Sequence, residues 1–166
     1  MKATKLSGFL ILVGLGLVAL PHAAGATSTS EVNDQLTEMQ FQFYTGGDDK
    51  RSDSRVWVVV NLARGGAVVR EAVGDDDGWG SDTWSEITTI ALPAGTTFGD
   101  VLSVEILWKQ GGGGWNGDNW NLNELNVWMF DQTRGQWGFN ALEGNPLKRF
   151  TGSATSFSWP WLWPVL

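Results

Sequence analysis

The chain has no cysteine, and its single histidine, His22, lies near the start. A domain built from the later residues therefore has neither thiol nor imidazole. That excludes a Ser-His-Asp triad, a Cys-His pair and an ordinary structural zinc site. It also excludes disulfides, so the core alone must hold the fold. Positive charge is scarce as well: 11 Lys and Arg stand against 18 Asp and Glu, a formal net charge of −7. Such a surface repels nucleic acid, which is set aside as a partner. The remaining catalytic option is carboxylate chemistry, since a glycosidase needs only two acids flanking a cleft. Here the acids cluster beside glycines in loop-like stretches, which suits ion binding or solvation better, so a non-catalytic protein is expected.

Long apolar runs are also few. Phe9 to Leu20 is uncharged, follows Lys2 and Lys5, is broken by Pro21 and leads to Ala24-Gly25-Ala26. That order predicts a secretory signal peptide over residues 1–26, and with it a secreted or periplasmic protein. The run is shorter than the ~18 or more residues expected of a membrane-spanning helix. Cleavage would remove Lys2 and Lys5 but none of the acids, leaving the exported part more acidic than the full chain.

Residues 27–35 are polar and read as a disordered leader. Residues 36–157 read as one all-β domain. Met39, Phe41 and Phe43 alternate with Gln40 and Gln42, a half-buried strand. Arg55 to Leu62 is apolar on both faces, and Ala67 to Val73 returns after Arg64-Gly65-Gly66. Trp84 to Leu92 is a further strand, ended by Pro93-Ala94-Gly95. Val104, Ile106 and Trp108 alternate, as do Leu125, Val127 and Met129; Phe150 to Phe157 can supply the last strand. Short strands between Gly/Asp turns predict an antiparallel two-sheet β-sandwich.

Two segments go beyond composition. One is Phe43-Tyr44-Thr45-Gly46-Gly47-Asp48-Asp49, leading into Arg55-Val56-Trp57-Val58; the other is Asp118-Asn119-Trp120-Asn121-Leu122, leading into Leu125 and Val127. Together, and with Phe98-Gly99-Asp100-Val101 between them, they resemble the PLAT (lipoxygenase-homology) domain over roughly residues 37–157. The resemblance implies a two-sheet sandwich that binds a lipid surface or a partner protein, in some members with calcium. The loop departs from the usual family pattern at Lys50-Arg51-Ser52-Asp53.

The residues themselves allow two roles for that loop. Asp48 and Asp49 can accept hydrogen bonds from loop amides and serve structure alone. Alternatively Asp48, Asp49 and Asp53 are candidate calcium ligands, with Asp75, Asp76, Asp77 or Asp118 closing the shell from another loop. Trp108, Trp120, Leu122, Leu125 and Val127 are expected in the core. Eleven tryptophans exceed what one such core needs. Trp79 and Trp115, which lie among glycines and polar residues, and the off-phase Trp128 are therefore candidate ligand contacts. The alternative is that Trp57 and Trp128 cover one another on an outer sheet face. Residues 158–166 form an apolar tail whose Trp159, Trp161 and Trp163 suit a membrane interface, the module's own surface or a partner's groove. Three functions follow: a lipid- or protein-binding module, a carbohydrate-binding module that stacks sugars on tryptophan, and an assembly component.

Overall fold

A computed structural model describes residues 33–64, 66–72, 78–111 and 117–160. The expected signal peptide, residues 27–32 of the leader, Asp75, Asp76, Asp77, Trp115, Trp161 and Trp163 lie outside the described residues.

The structure is an antiparallel two-sheet sandwich of eight strands: β1 Leu36–Thr45, β2 Arg55–Leu62, β3 Ala67–Glu71, β4 Thr88–Ala91, β5 Val101–Lys109, β6 Trp120–Asp131, β7 Gln136–Phe150 and β8 Ser156–Pro160. One sheet has the order β4-β1-β6-β7 and the other β3-β2-β5-β8. The only helical element among the described residues is a 3-10 turn at Phe98–Asp100, leading into β5.

The period-two pattern decides which faces meet. In the first sheet Met39, Phe41 and Phe43 of β1 lie opposite Met129, Val127 and Leu125 of β6, and all six are buried. In the second, Val56, Val58 and Val60 of β2 face Trp108, Ile106 and Val104 of β5 in register, again buried. These two apolar faces form the core, to which Trp108, Trp120, Leu122, Leu125 and Val127 belong as expected.

At one end the core becomes aromatic. Trp120 has no exposed surface; it stacks on Phe150 at 5.1 Å and Trp108 at 5.7 Å, and meets Trp79 edge-on at 5.3 Å. Its indole N–H donates to Thr45 Oγ1 at 3.1 Å, so the one polar atom of the ring is satisfied inside the core.

Three expectations are corrected. The last strand is β8, not Phe150 to Phe157, and it includes three residues read as tail, Ser158, Trp159 and Pro160: Trp159 pairs with Val104, and both Phe157 and Trp159 pack against the core. Trp57 and Trp128 cannot cover each other, because β2 and β6 belong to different sheets and both residues are out of phase with the inward-facing set. The chain between Asp131 and Phe150, read without a strand, forms β7, the longest strand among the described residues at 15 residues.

Candidate functional site

The two motif segments meet at the aromatic end of the sandwich. Beyond β1 the chain turns at Gly46, whose N–H donates to the Asn121 carbonyl at 2.7 Å; Asn121 N–H in turn donates to the Asp48 carbonyl at 3.1 Å. The Gly46–Ser54 loop is thereby sewn to the start of β6. On its other side Lys50 and Trp79 exchange backbone hydrogen bonds at 2.9 and 2.7 Å as an isolated antiparallel bridge. Gly78 makes this approach possible. It has φ of +71°, and a Cβ there would lie 2.7 Å from the Lys50 carbonyl oxygen.

The bridge corrects the reading of Trp79. Its glycine-rich surroundings suggested exposure, but only 5% of its surface is accessible. The bridge draws it under the loop, where it stacks on Phe43 at 5.3 Å. Lys50 is buried over the same indole, with Nζ 5.0 Å from the ring centroid and donating to the Arg51 carbonyl at 3.3 Å. A cation on a desolvated indole face is a favourable pairing.

The acidic residues take different places. Asp118 is buried; its Oδ2 accepts from Arg51 N–H at 2.9 Å and from the Ser54 hydroxyl at 2.6 Å, and its Oδ1 lies 3.6 Å from Arg51 Nε. Asp48 pairs with Arg149 of β7 at 2.7 Å. Asp49 and Asp53 line an open pocket of ≈ 580 Å³ together with Lys50, Arg51, Gly78 and Trp79. No group of three acidic residues able to hold a metal ion forms among the described residues. A calcium ion bound here would have to compete with Arg149 for Asp48 and with Arg51 for Asp118.

Among the described residues, the same end carries one exposed large ring. Trp84 is 41% exposed and lies against Tyr44 at 5.1 Å, held by an isolated bridge between the two residues. Sequence reasoning placed Trp84 at the start of a strand, which begins only at Thr88, and did not single out its exposure. Arg149 was missed because β7 was. Trp128, by contrast, is half-buried on the outer face of β6 against Phe139, at 5.4 Å and far along the strand from this loop end.

No family model and no curated protein sequence matches the chain. Among solved structures, the alpha-toxin of Clostridium perfringens, isolated from an avian strain, is similar over 74% of this chain and 32% of the toxin chain, with a TM-score of 0.50 and 13% identity. A lipoxygenase variant in complex with arachidonate is similar over 75% of this chain and 16% of its own, with a TM-score of 0.49 and 14% identity. The chain thus spans a small part of either protein, and at this identity the likeness concerns the fold alone. That fold is the PLAT-like antiparallel β-sandwich.

Proposed function

We propose that the chain is an exported, non-catalytic recognition module whose loop end engages a lipid surface. The observation that supports this most directly is the exposed Trp84 at the same end as the pocket that Arg51 lines, in a protein that is otherwise acidic. An indole suits the interface, where one part of the ring is apolar and the other wet, and a guanidinium at the same end can meet a headgroup phosphate. The backbone hydrogen bonds that tie down the Gly46–Ser54 loop and the bridge of Trp84 to Tyr44 present both groups without a large ordering cost. Calcium enters this reading as an assisting ion held by Asp48, Asp49 or Asp53. The lack of any cysteine, and of any histidine beyond His22 of the expected signal peptide, supports a binding role over an enzymatic one.

Co-sedimentation with phosphatidylcholine vesicles, with and without phosphatidylserine and with and without calcium, tests the proposal. The protein is expected to pellet with vesicles, and Trp84→Ala to weaken this by more than about tenfold, the effect of losing an anchoring aromatic. If the protein stays in the supernatant with every vesicle, or pellets equally well without the Trp84 ring, the lipid reading fails. A protein partner at this end then takes its place.

A further inference from the structure

The outer face of the β4-β1-β6-β7 sheet carries a block of four aromatic rings. Trp128 lies opposite Phe139, and Phe130 opposite Trp137, in consecutive same-face register positions of β6 and β7. The ring centroids are 5.4 and 5.2 Å apart within the pairs. Trp137 is 45% exposed and Phe139 50%. The two pairs are separated along the strands by about 7 Å, twice the rise per residue. Next to them in register on β1 stand Glu38 and Gln40, with the Gln40 amide donating to the Glu38 carboxylate at 2.8 Å. The block belongs to the half of the sheet nearest the Gln132–Gly135 turn, away from the loop end.

The chemistry of the face narrows its occupant. Its outward positions run through Glu38, Gln40, Gln42 and Tyr44 on β1, Glu124 and Asn126 before the rings on β6, and Ala141 and Glu143 after them on β7. None of these is lysine or arginine; Arg149, outward on β7 opposite Asn121, stands at the far, loop end of the face and is paired with Asp48. An anionic polymer or headgroup therefore finds no counter-charge beside the rings. A second copy meeting the same face would gather two sets of Glu38, Glu124 and Glu143 into one contact, because a two-fold interface uses the same patch of both copies, with no lysine or arginine beside the rings to offset them. A neutral polyhydroxylated chain satisfies what is present: its apolar ring faces lie on the aromatic rings, and its hydroxyls bond the amides and carboxylates beside them. The rings of each pair are inclined by 40° and 52°, so they do not share one plane. That suits a single twisted chain in solution and not the flat surface of a crystalline polymer.

We propose that this face is a binding site for a soluble neutral polysaccharide, built from Trp128, Phe130, Trp137 and Phe139 with Glu38 and Gln40 as the polar border. It is separate from the loop end and does not depend on the lipid reading.

Native gel electrophoresis through soluble mixed-linkage glucan, mannan or xylan tests it, with insoluble cellulose as the flat comparison. At least one soluble polymer is expected to retard the protein. The double variant Trp137→Ala/Phe139→Ala should weaken that retardation by more than about tenfold, and Trp137→Phe should largely keep it. Both variants replace exposed rings, so their melting curves should overlay the parent's, and vesicle binding should be unchanged. No retardation by any of the three polymers, or retardation that the double variant keeps, overturns the proposal. So does a concentration-dependent dimer in sedimentation velocity that the double variant abolishes, because a second copy is then the occupant.

Discussion

The Ser54 hydroxyl donates to Asp118 Oδ2 at 2.6 Å, while its own oxygen accepts the Gly111 N–H at 2.8 Å. One buried serine thus joins two loops at the aromatic end: that before β2 and, at both of its ends, the β5–β6 connection. The Gln110 side-chain amide adds a bond to the Asp118 carbonyl. Asp118→Ala removes the acceptor for two donors and for the Arg51 pairing, and should cost about 2–4 kcal/mol. Ser54→Ala should cost about 1–3 kcal/mol. Because both remove the same bond, the double variant should cost less than the two added together. Urea midpoints at unchanged m-value measure all three; strict additivity would mean that the serine and the carboxylate do not act together.

Arg149 governs the response to calcium if the acidic loop binds it. The guanidinium occupies Asp48 Oδ2 at 2.7 Å, and Arg149 Nη1 also donates to Asn121 Oδ1 at 2.9 Å. Arg149→Gln frees the carboxylate and removes a competing positive charge. Calcium binding to the folded state raises the melting temperature by mass action. The calcium-dependent rise should therefore be larger in Arg149→Gln than in the parent. Identical melting in calcium and in chelator for both proteins would end the calcium reading and leave the loop carboxylates a structural role.

Asp100 makes stability depend on pH in acid. Its Oδ2 accepts from the Thr97 backbone N–H at 3.0 Å and from the Thr97 hydroxyl at 2.8 Å, and Arg64 Nε lies 3.0 Å from Oδ1. The Thr97 N–H first, then its hydroxyl, then Arg64 hold the carboxyl below its ordinary value of 3.8, against the opposing effect of burial. A carboxyl lowered by folding stabilises the folded state above its unfolded pKa and loses that contribution as pH falls through the folded value. The melting-temperature gap between the parent and Asp100→Asn should therefore be constant above about pH 5 and close as pH drops below 3.8. A gap that persists at the lowest pH at which both still fold would show that the charge is not what matters.

Much of this architecture is legible from periodicity alone, because strands with one buried face announce themselves. Met39-Phe41-Phe43 and Val104-Ile106-Trp108 alternate in sequence and are buried in alternation in the structure. What was not legible is long-range. Nothing local shows that Trp79 is drawn under the loop, since its partners Lys50 and Phe43 lie 29 residues or more earlier in the chain. β7 was missed because its outward aromatics and the irregular stretch around Gly144 and Pro146 blur the alternation; the β6–β7 register shifts there, between Leu122 and Glu124 on β6. A signal was nonetheless present. Trp128-Met129-Phe130 and Trp137-Gly138-Phe139 flank Asp131-Gln132-Thr133-Arg134-Gly135, and Gly135 has φ of +66°. Two matching aromatic pairs around such a turn mark a hairpin whose rings share a face. The different places of the loop aspartates depend on partners far off in sequence, Arg149 of β7 for Asp48 and Arg51 of the Gly46–Ser54 loop for Asp118, and leave no local trace.

Within the aromatic C-terminus, β8 is the part that closes the sandwich. β8 is the edge strand beside β5, and it sets Phe157 against Ile106 and Trp159 against Val104. Both rings are half-buried and pack on the core. Truncation after Thr155 strips this cover from β5 and exposes apolar surface at ~25 cal/mol per Å². Truncation after Pro160 leaves every described contact of β8 in place. The longer protein should therefore melt close to the parent, while the shorter one should lose well over 4–8 °C, the shift expected for about 1 kcal/mol in a domain of roughly this size. Trp159→Ala should fall between them, at about 2–4 kcal/mol, less than a fully buried tryptophan because the ring is only partly covered. Trp159→Phe should come close to neutral: the indole N–H has no hydrogen-bond partner among the described residues, so replacing it removes an unsatisfied donor along with some ring contact. If truncation after Pro160 lowers the melting temperature as far as truncation after Thr155, the stabilising contact resides in residues 161–166, and β8 is not what closes this edge of the sandwich.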